Sequence, residues 1–500
     1  MQLEQAVQSI KALQARRAAY QHALGVMYYD SVTVAPPGGV AARGAALEML
    51  SEQDFKLLVN PDTERALNLL LENQDRLDAQ TRQEALFLSR EYEKISRIPV
   101  DEYAAFQGLI NQAESVWRAA KARADYASFA PFLSRIVDTL RRFARYRNPD
   151  ADPYGLLLDD YEQGLTRAGA DDCFEKIRRE IAPLIREVAR AGRDPECGFL
   201  HRRYPIAAQR MLTDYLLGVM GAKCDRLCVG ESEHPFTTNF GKTDVRITTH
   251  YYPDKLESSM YSVLHEGGHA LYELNTADAL NGSCLATGVS MGVHESQSRL
   301  FENAIGRSLP FIEYVFPELR RLFPDQLAGV SAQDFYRAVN RVTPSLIRIE
   351  ADELTYSMHI LVRYEMEKQL IDGELSVERA AERWRELYRE YLGVDVPDDG
   401  RGILQDSHWS GGLIGYFPSY CIGSAYAAQM LAAMEKAMDL WTLVGRGDFA
   451  PITAYLTERV YRFGSGITPD GALKNFGLGA FNPDYYIRYL TEKYSALYGL

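Results

Sequence analysis

The chain has 500 residues, 46% of them hydrophobic and 25% charged, with a mean hydropathy of −0.26; this is the composition of a globular protein with a substantial core. A formal net charge of −13 argues against a nucleic-acid or anionic-membrane partner, which would need clustered Lys and Arg, but it leaves room for a locally basic pocket. Six cysteines are too few for a disulfide scaffold, and no run approaches 18 uninterrupted apolar residues, so free thiols, no membrane span and a cytoplasmic location are expected.

In chain order, the first segment, MQLEQAVQSIKALQARR, has no apolar signal core and reads as an amphipathic helix with Leu3, Ala6, Ile10 and Leu13 on one side. Helical periodicity predicts further elements at 3–24, 79–97, 101–123, 128–146 and 170–191, with Asp101 and Asp171–Asp172 as helix starts. Turn residues break the pattern in APPGG (35–39) and NPDADPYG (148–155). Residues 234–252, HPFTTNFGKTDVRITTHYY, carry the strongest strand or hairpin signal, with Gly241 as the turn. Helical patterns then resume, interrupted by LGVDVPDDGRG at 392–402. The expected class is mainly α with one small sheet.

Directly after that sheet stands SVLHEGGHALYEL, 262–274, which Asp254 and Glu257 can cap. Met260, Val263, Leu264, Leu271 and Leu274 form an apolar stripe, so the stretch is a helix packed on one side. His265 and His269, at i and i+4, project from one face and can both reach a Zn²⁺ at about 2.0–2.1 Å. Glu266 is rotated by roughly 100° from His265 and sits where a zinc hydrolase keeps its general base. The plain alternative is an ordinary core helix with two histidines. Gly267 and Gly268 count against it, because two glycines inside a helix cost about 1.5–2 kcal/mol relative to Ala. Close approach of another element would account for them.

A catalytic zinc site needs a third protein ligand. Tyr272 and Asn275 stand where HExxHxxGxxH requires Gly and His, so it lies elsewhere. A second helical pattern, GVHESQSRLFENAIG at 292–306, offers Glu295, with His294 and Glu302 as rivals; Glu302 could instead support a ligand histidine. Val293, Leu300, Phe301 and Ala304 form its apolar side, and Gly306 its stop.

At this point the chain resembles the carboxypeptidase Taq family of zinc metallocarboxypeptidases. The resemblance is carried in order by HPF (234–236), DVRIT (244–248), HEGGH (265–269), HESQSR (294–299), IRIEAD (347–352) and GILQDSHW (402–409), with LLLDDYEQGLT at 156–166. MYYDSVTVAPPGGVAAR departs from the family segment, with Tyr29 for Trp and Ala35 for Met. The resemblance implies His265, His269 and Glu295 as zinc ligands, Glu266 as base, and release of single residues from peptide C-termini. It implies the long-grooved helical fold of angiotensin-converting enzyme and neurolysin. In that fold, 1–500 form a single peptidase domain, 1–200 a helical subdomain making one groove wall, and 201–500 the catalytic subdomain. It also implies a homodimer.

The rest of the site follows from the reaction. Oxyanion donors are sought in QDSHWSGGLIGYFPSY, 405–420, where related zinc peptidases use a His and a Tyr; His408 with Tyr420 or Tyr416 are the candidates. A free terminal carboxylate is best held by Arg. Arg348 is the choice the resemblance suggests, on a helix among acids that could instead pair with it. Arg246 is the second candidate, and His234 and His250 are expected to line the site wall or to support the ligands from behind. Co²⁺ or another divalent ion could substitute for zinc. The competing functions are an oligoendopeptidase of the same fold and a non-catalytic peptide-binding protein.

Overall fold

The computed structural model describes residues 1–192 and 194–500. Helices dominate them, and the single sheet has three short strands: β1 (Leu227–Glu231), β2 (Thr237–Asn239) and β3 (Val245–Thr249). The class is therefore mainly α, as composition and periodicity indicate. Among the described residues no helix is long and apolar enough to cross a membrane.

The expected helices are present with shifted ends. The first runs Leu3–Thr33, and only its early turns are buried, through Ala6, Ile10, Leu13 and Gln14. The helices Ala79–Ile95, Val100–Arg123, Tyr126–Arg147 and Arg167–Ala191 match the other four. The last begins at Thr166, whose hydroxyl accepts from Gly169 N, so Asp171 and Asp172 lie inside it. Pro99 precedes Val100, so Asp101 falls in the first turn instead of capping it.

The chain divides into two compact units, each assembled from three segments. The first comprises Met1–Ile95, Glu196–Val339 and Met430–Ala480 and contains the sheet; the second comprises Ser96–Pro195, Asn340–Gln429 and Phe481–Leu500. The core of the second unit gathers Phe129, Phe174, Tyr364, Trp384 and Tyr494 around the buried helix Glu353–Asp372. In the first unit, Ala6 and Ile10 pack with Leu67, Leu70 and Leu88.

In the sheet, β3 is central, parallel to β1 and antiparallel to β2. Val245, Ile247, Thr248 and Thr249 are fully buried. Residues 240–244 turn β2 into β3, with Phe240 N donating to Asp244 O. Gly241 has φ +105°, a conformation costly for any residue with a Cβ, so the turn sits where the sequence places it. The helix Leu256–Leu274 packs on β3.

Candidate metal centre and its surroundings

Helix 256–274 begins one residue later than Asp254 suggests, with Lys255 at its N-cap and no side-chain cap. Its imidazoles meet Glu295 from the helix Met291–Arg299, which Ser290 caps by accepting from Val293 N. His265 Nε2 and His269 Nε2 lie 3.6 and 3.4 Å from the same carboxylate oxygen, Glu295 Oε2. Bonds of about 2.0–2.1 Å at tetrahedral angles set donor atoms about 3.3 Å apart, so two imidazoles and a carboxylate at this spacing fit a zinc-sized ion. Among the described residues this is the one cluster with metal-ligand spacing.

The other two candidates for the third ligand take different places. Glu302 Oε2 bonds His265 Nδ1 at 2.8 Å, and His294 Nδ1 lies 2.5 Å from His269 Nδ1. Both histidines therefore have their Nδ1 engaged and their Nε2 turned to Glu295, the orientation a shared ion needs. Glu295 and Glu302 are seven residues apart, two turns, and so face the same neighbour. Residues Leu300–Ile305 form a π-helical turn that ends at Gly306. Val293, Leu300, Phe301 and Ala304 are buried as expected, but so are Glu295 and Ser298 on the polar side.

Charge is unevenly distributed around the two histidines. Burial lowers the pKa of His265, but Glu295, Glu302 and Glu266 outweigh it and hold His265 at about 9. Burial dominates at His269 and pushes it down to about 3. Burial also opposes ionisation of Glu295, yet Arg299 and both histidines keep it well below the usual carboxylate range; Arg299 Nε bonds Glu295 Oε1 at 2.7 Å. Glu302 is likewise held at about 2 against its burial, by Arg299 and His265.

Glu266 is 5% exposed, and burial raises its pKa above the usual value, as suits a base. Thr237 Oγ1, on β2, donates to Glu266 Oε2 at 2.6 Å. The sequence reading missed Thr237; the only available signal was its place immediately after HPF. The glycine pair also finds its reason here. A Cβ on Gly268 would lie 2.6 Å from Gln297 O and 2.8 Å from Ser298 Cα, so the backbone of helix 291–299 occupies that space. A Cβ on Gly267 would meet the flexible end of Met220.

In the second unit, Arg348 lies in a single 3₁₀ turn, Arg348–Glu350, and not on a long helix. The neighbouring acids are engaged elsewhere: Asp352 caps helix 353–372 and Glu353 bonds Lys493. Arg348 instead donates through Nε and Nη2 to Asp406 Oδ1, at 3.1 and 2.9 Å, and through Nη1 to the Tyr356 hydroxyl. Arg363 donates to the other oxygen, Asp406 Oδ2, at 2.7 and 2.5 Å. His408 Nε2 lies 3.1 Å from the Tyr420 hydroxyl, and its ring packs on Phe417 and Tyr416. Burial, then Arg348, pushes His408 down to about 3, so it is neutral near pH 7. Tyr416 stacks edge-on with Tyr161 and Tyr420.

The other candidates have local partners. Arg246 forks onto Asp244 with two bonds of 2.8 Å, its guanidinium over Tyr29 and Phe240. His234 is exposed, and His250 Nδ1 lies 3.0 Å from Ser232 O.

A family model for carboxypeptidase Taq (M32) metallopeptidases matches residues 9–494. The chain belongs to this family. It is 38% identical to carboxypeptidase 1 of Bacillus subtilis over 484 residues, 97% of each chain. It is 40% identical to thermostable carboxypeptidase 1 of Thermus thermophilus over 418 residues, 82% of each. The crystal structure of an M32 carboxypeptidase from Deinococcus radiodurans superposes with a TM-score of 0.95 at 34% identity, covering 99% of this chain and 100% of that one. The chain is thus an M32 metallocarboxypeptidase, with the mainly helical fold of that family.

Of the six M32 motifs, four fall in the first unit and two in the second. DVRIT supplies the first four residues of β3, HPF leads into β2 and its Thr237, and HEGGH and HESQSR supply the three donor residues. IRIEAD and GILQDSHW meet in the Arg348–Asp406 pair. Sequence reading also missed Arg363, which shares Asp406. So too Glu367, one turn further along the same helix, which accepts from Trp409 Nε1, Gly415 N and the Tyr154 hydroxyl. Each has its partner more than 40 residues away, so spacing carried no signal.

Proposed function

We propose that this chain hydrolyses the last peptide bond of peptides with a free C-terminus, with zinc held by His265, His269 and Glu295 and with Glu266 as general base. The observation that carries the reading is the convergence of two Nε2 atoms on one carboxylate oxygen beside a buried glutamate. When bound, a divalent ion supplies Lewis acidity and acidifies water to a pKa of about 7.

The remaining steps belong to the chain's own residues. Glu266 takes a proton from the attacking water and passes it to the leaving amine. Burial supports this by raising its basicity, and the Thr237 bond fixes its Oε2. His408 and Tyr420 serve as oxyanion donors, with Tyr416 the other candidate. The resemblance and the closeness of His408 to Tyr420 support this assignment, since a neutral imidazole and a phenol each carry one donor hydrogen that can turn to a substrate oxygen.

Arg348 takes the substrate carboxylate. Its ion pair with Asp406 does not cancel the positive charge, because Asp406 is divided between two buried guanidiniums and one cation remains in excess. Arg246 is the second choice, since Asp244 already fills its fork. Co²⁺ is a workable substitute for zinc. We further propose a cytoplasmic homodimer, which light scattering of the purified protein tests by its mass.

Metal analysis paired with kinetics tests the mechanism. Glu266→Gln is expected to keep full metal occupancy and lose about 10²–10⁴-fold in turnover. Wild-type turnover in that variant removes Glu266 from the chemistry, and lost occupancy makes it a structural group.

A further inference from the structure

His294 occupies a site built for an imidazole, although it is not one of the three donors. One face of its ring stacks on Tyr272, with centroids 4.9 Å apart and planes 16° from parallel. On another side stands Gly288, where a Cβ would fall 2.4 Å from His294 Cδ2. Both nitrogens are engaged: Nδ1 lies 2.5 Å from His269 Nδ1, and Nε2 lies 2.7 Å from Glu273 Oε1. Glu273 is 4% exposed and comes from the same helix as His269, one turn on.

Proton counting fixes the direction of this chain. A carboxylate only accepts, so the hydrogen between Glu273 and His294 resides on His294 Nε2. A histidine that ligates through Nε2 keeps its one hydrogen on Nδ1, and His294 Nδ1 is the acceptor that His269 Nδ1 meets. Two bare nitrogens do not approach to 2.5 Å, so the hydrogen between the rings belongs to His269 Nδ1. That leaves His269 Nε2 bare and facing Glu295, as a metal ligand must be. His265 is oriented by a different group, with Glu302 directly on its Nδ1.

We infer that Glu273 is a positioning residue for the metal centre: through His294 it sets the tautomer of His269 and pushes electron density onto its Nε2. The inference rests on His265, His269 and Glu295 binding a divalent ion. The sequence offers no direct signal for Glu273, which reads as one more polar residue in LYEL.

The test uses full-length protein stripped of metal and titrated with Zn²⁺ and Co²⁺ against a chromophoric chelator at fixed pH and salt. Glu273→Gln keeps an acceptor for His294 but removes the charge. His294→Asn keeps an acceptor for His269 but cuts Glu273 off. Each variant is expected to bind metal about tenfold more weakly, the low end for loss of a group behind a ligand histidine. Their Co²⁺ absorption bands should shift. The double variant should bind no more weakly than the worse single one, because both changes cut the same chain. Matched melting of the metal-free proteins excludes a folding defect. Wild-type affinity with unshifted bands in Glu273→Gln, or losses that multiply in the double variant, overturns the relay alone. Wild-type protein that takes up neither ion overturns the metal site as well.

Discussion

Thr237 and Glu266 are 29 residues apart in sequence and 2.6 Å apart in space. A hydrogen bond to a charged group contributes about 1.5–3 kcal/mol, roughly 10–100-fold in rate if it acts through the base. Thr237→Val, which keeps the shape and loses the hydroxyl, should therefore lower kcat by at least about tenfold, with metal content unchanged and recovery in Thr237→Ser. Unchanged kcat in Thr237→Val would show that packing alone holds Glu266. At this scale the legible part of the site was what a single helix spells out: His265, Glu266 and His269 at fixed spacing. Glu295 was visible only as one of three candidates. Deciding among them needed the Nδ1 partners, because Glu302 and His294 differ from Glu295 in which side of an imidazole they meet.

Between elements, Gly268 shows how a local cost reports a tertiary contact. Ala at 268 would gain about 1 kcal/mol of helix propensity but would press its Cβ against the backbone of residues 297–298. Gly268→Ala is expected to destabilise the protein by about 1–3 kcal/mol net and to weaken metal binding, because helix 291–299 carries Glu295. Chemical denaturation with metal titration checks both. A variant as stable as the wild type would mean the helices separate freely.

Helix 353–372 poses a second question at this scale. It presents His359, Arg363 and Glu367 at i, i+4 and i+8, and Arg363 and Glu367 bond the segment 405–416. Burial pushes Glu367 up to about 7, above its unfolded value near 4.5. A raised acid contributes stability that is full below pH 4.5 and lost as pH rises through 7. Glu367→Gln lacks that titration, so its stability relative to wild type should rise between pH 5 and 7. A pH-independent difference in melting would contradict the shift. Amphipathic periodicity placed four of the five N-terminal helices to within about three residues at each end but stopped the first, Leu3–Thr33, nine residues short. It gave no warning of this stripe, because a helix buried on all sides has no solvent face to define a period.

Over the whole molecule, the order of segments hides the architecture. Each unit is built from three stretches of chain, and the four motifs of the metal centre belong to one unit while Arg348 and His408 belong to the other. Composition, the six motifs in order and the strand signal before HEGGH made the fold class legible. The assembly of the units was not, because pairing between distant stretches leaves no local pattern. Metal bound only by the folded chain adds stability, about 2.7 kcal/mol when free ion is a hundredfold above its Kd. Chelation should therefore lower the melting temperature of the wild type but leave Glu295→Ala unmoved. An equal response of both proteins would place the ion elsewhere.

The proposed function is a metal-dependent reaction that starts from a free C-terminus. One peptide in two forms, with a free and an amidated C-terminus, incubated with metal-loaded protein and followed by mass spectrometry, tests it most directly. The expected result is stepwise loss of single C-terminal residues from the free form alone, abolished by chelator and strongly reduced in Arg348→Met. Internal cleavage of both forms at equal rates, or turnover that survives chelation, would contradict it.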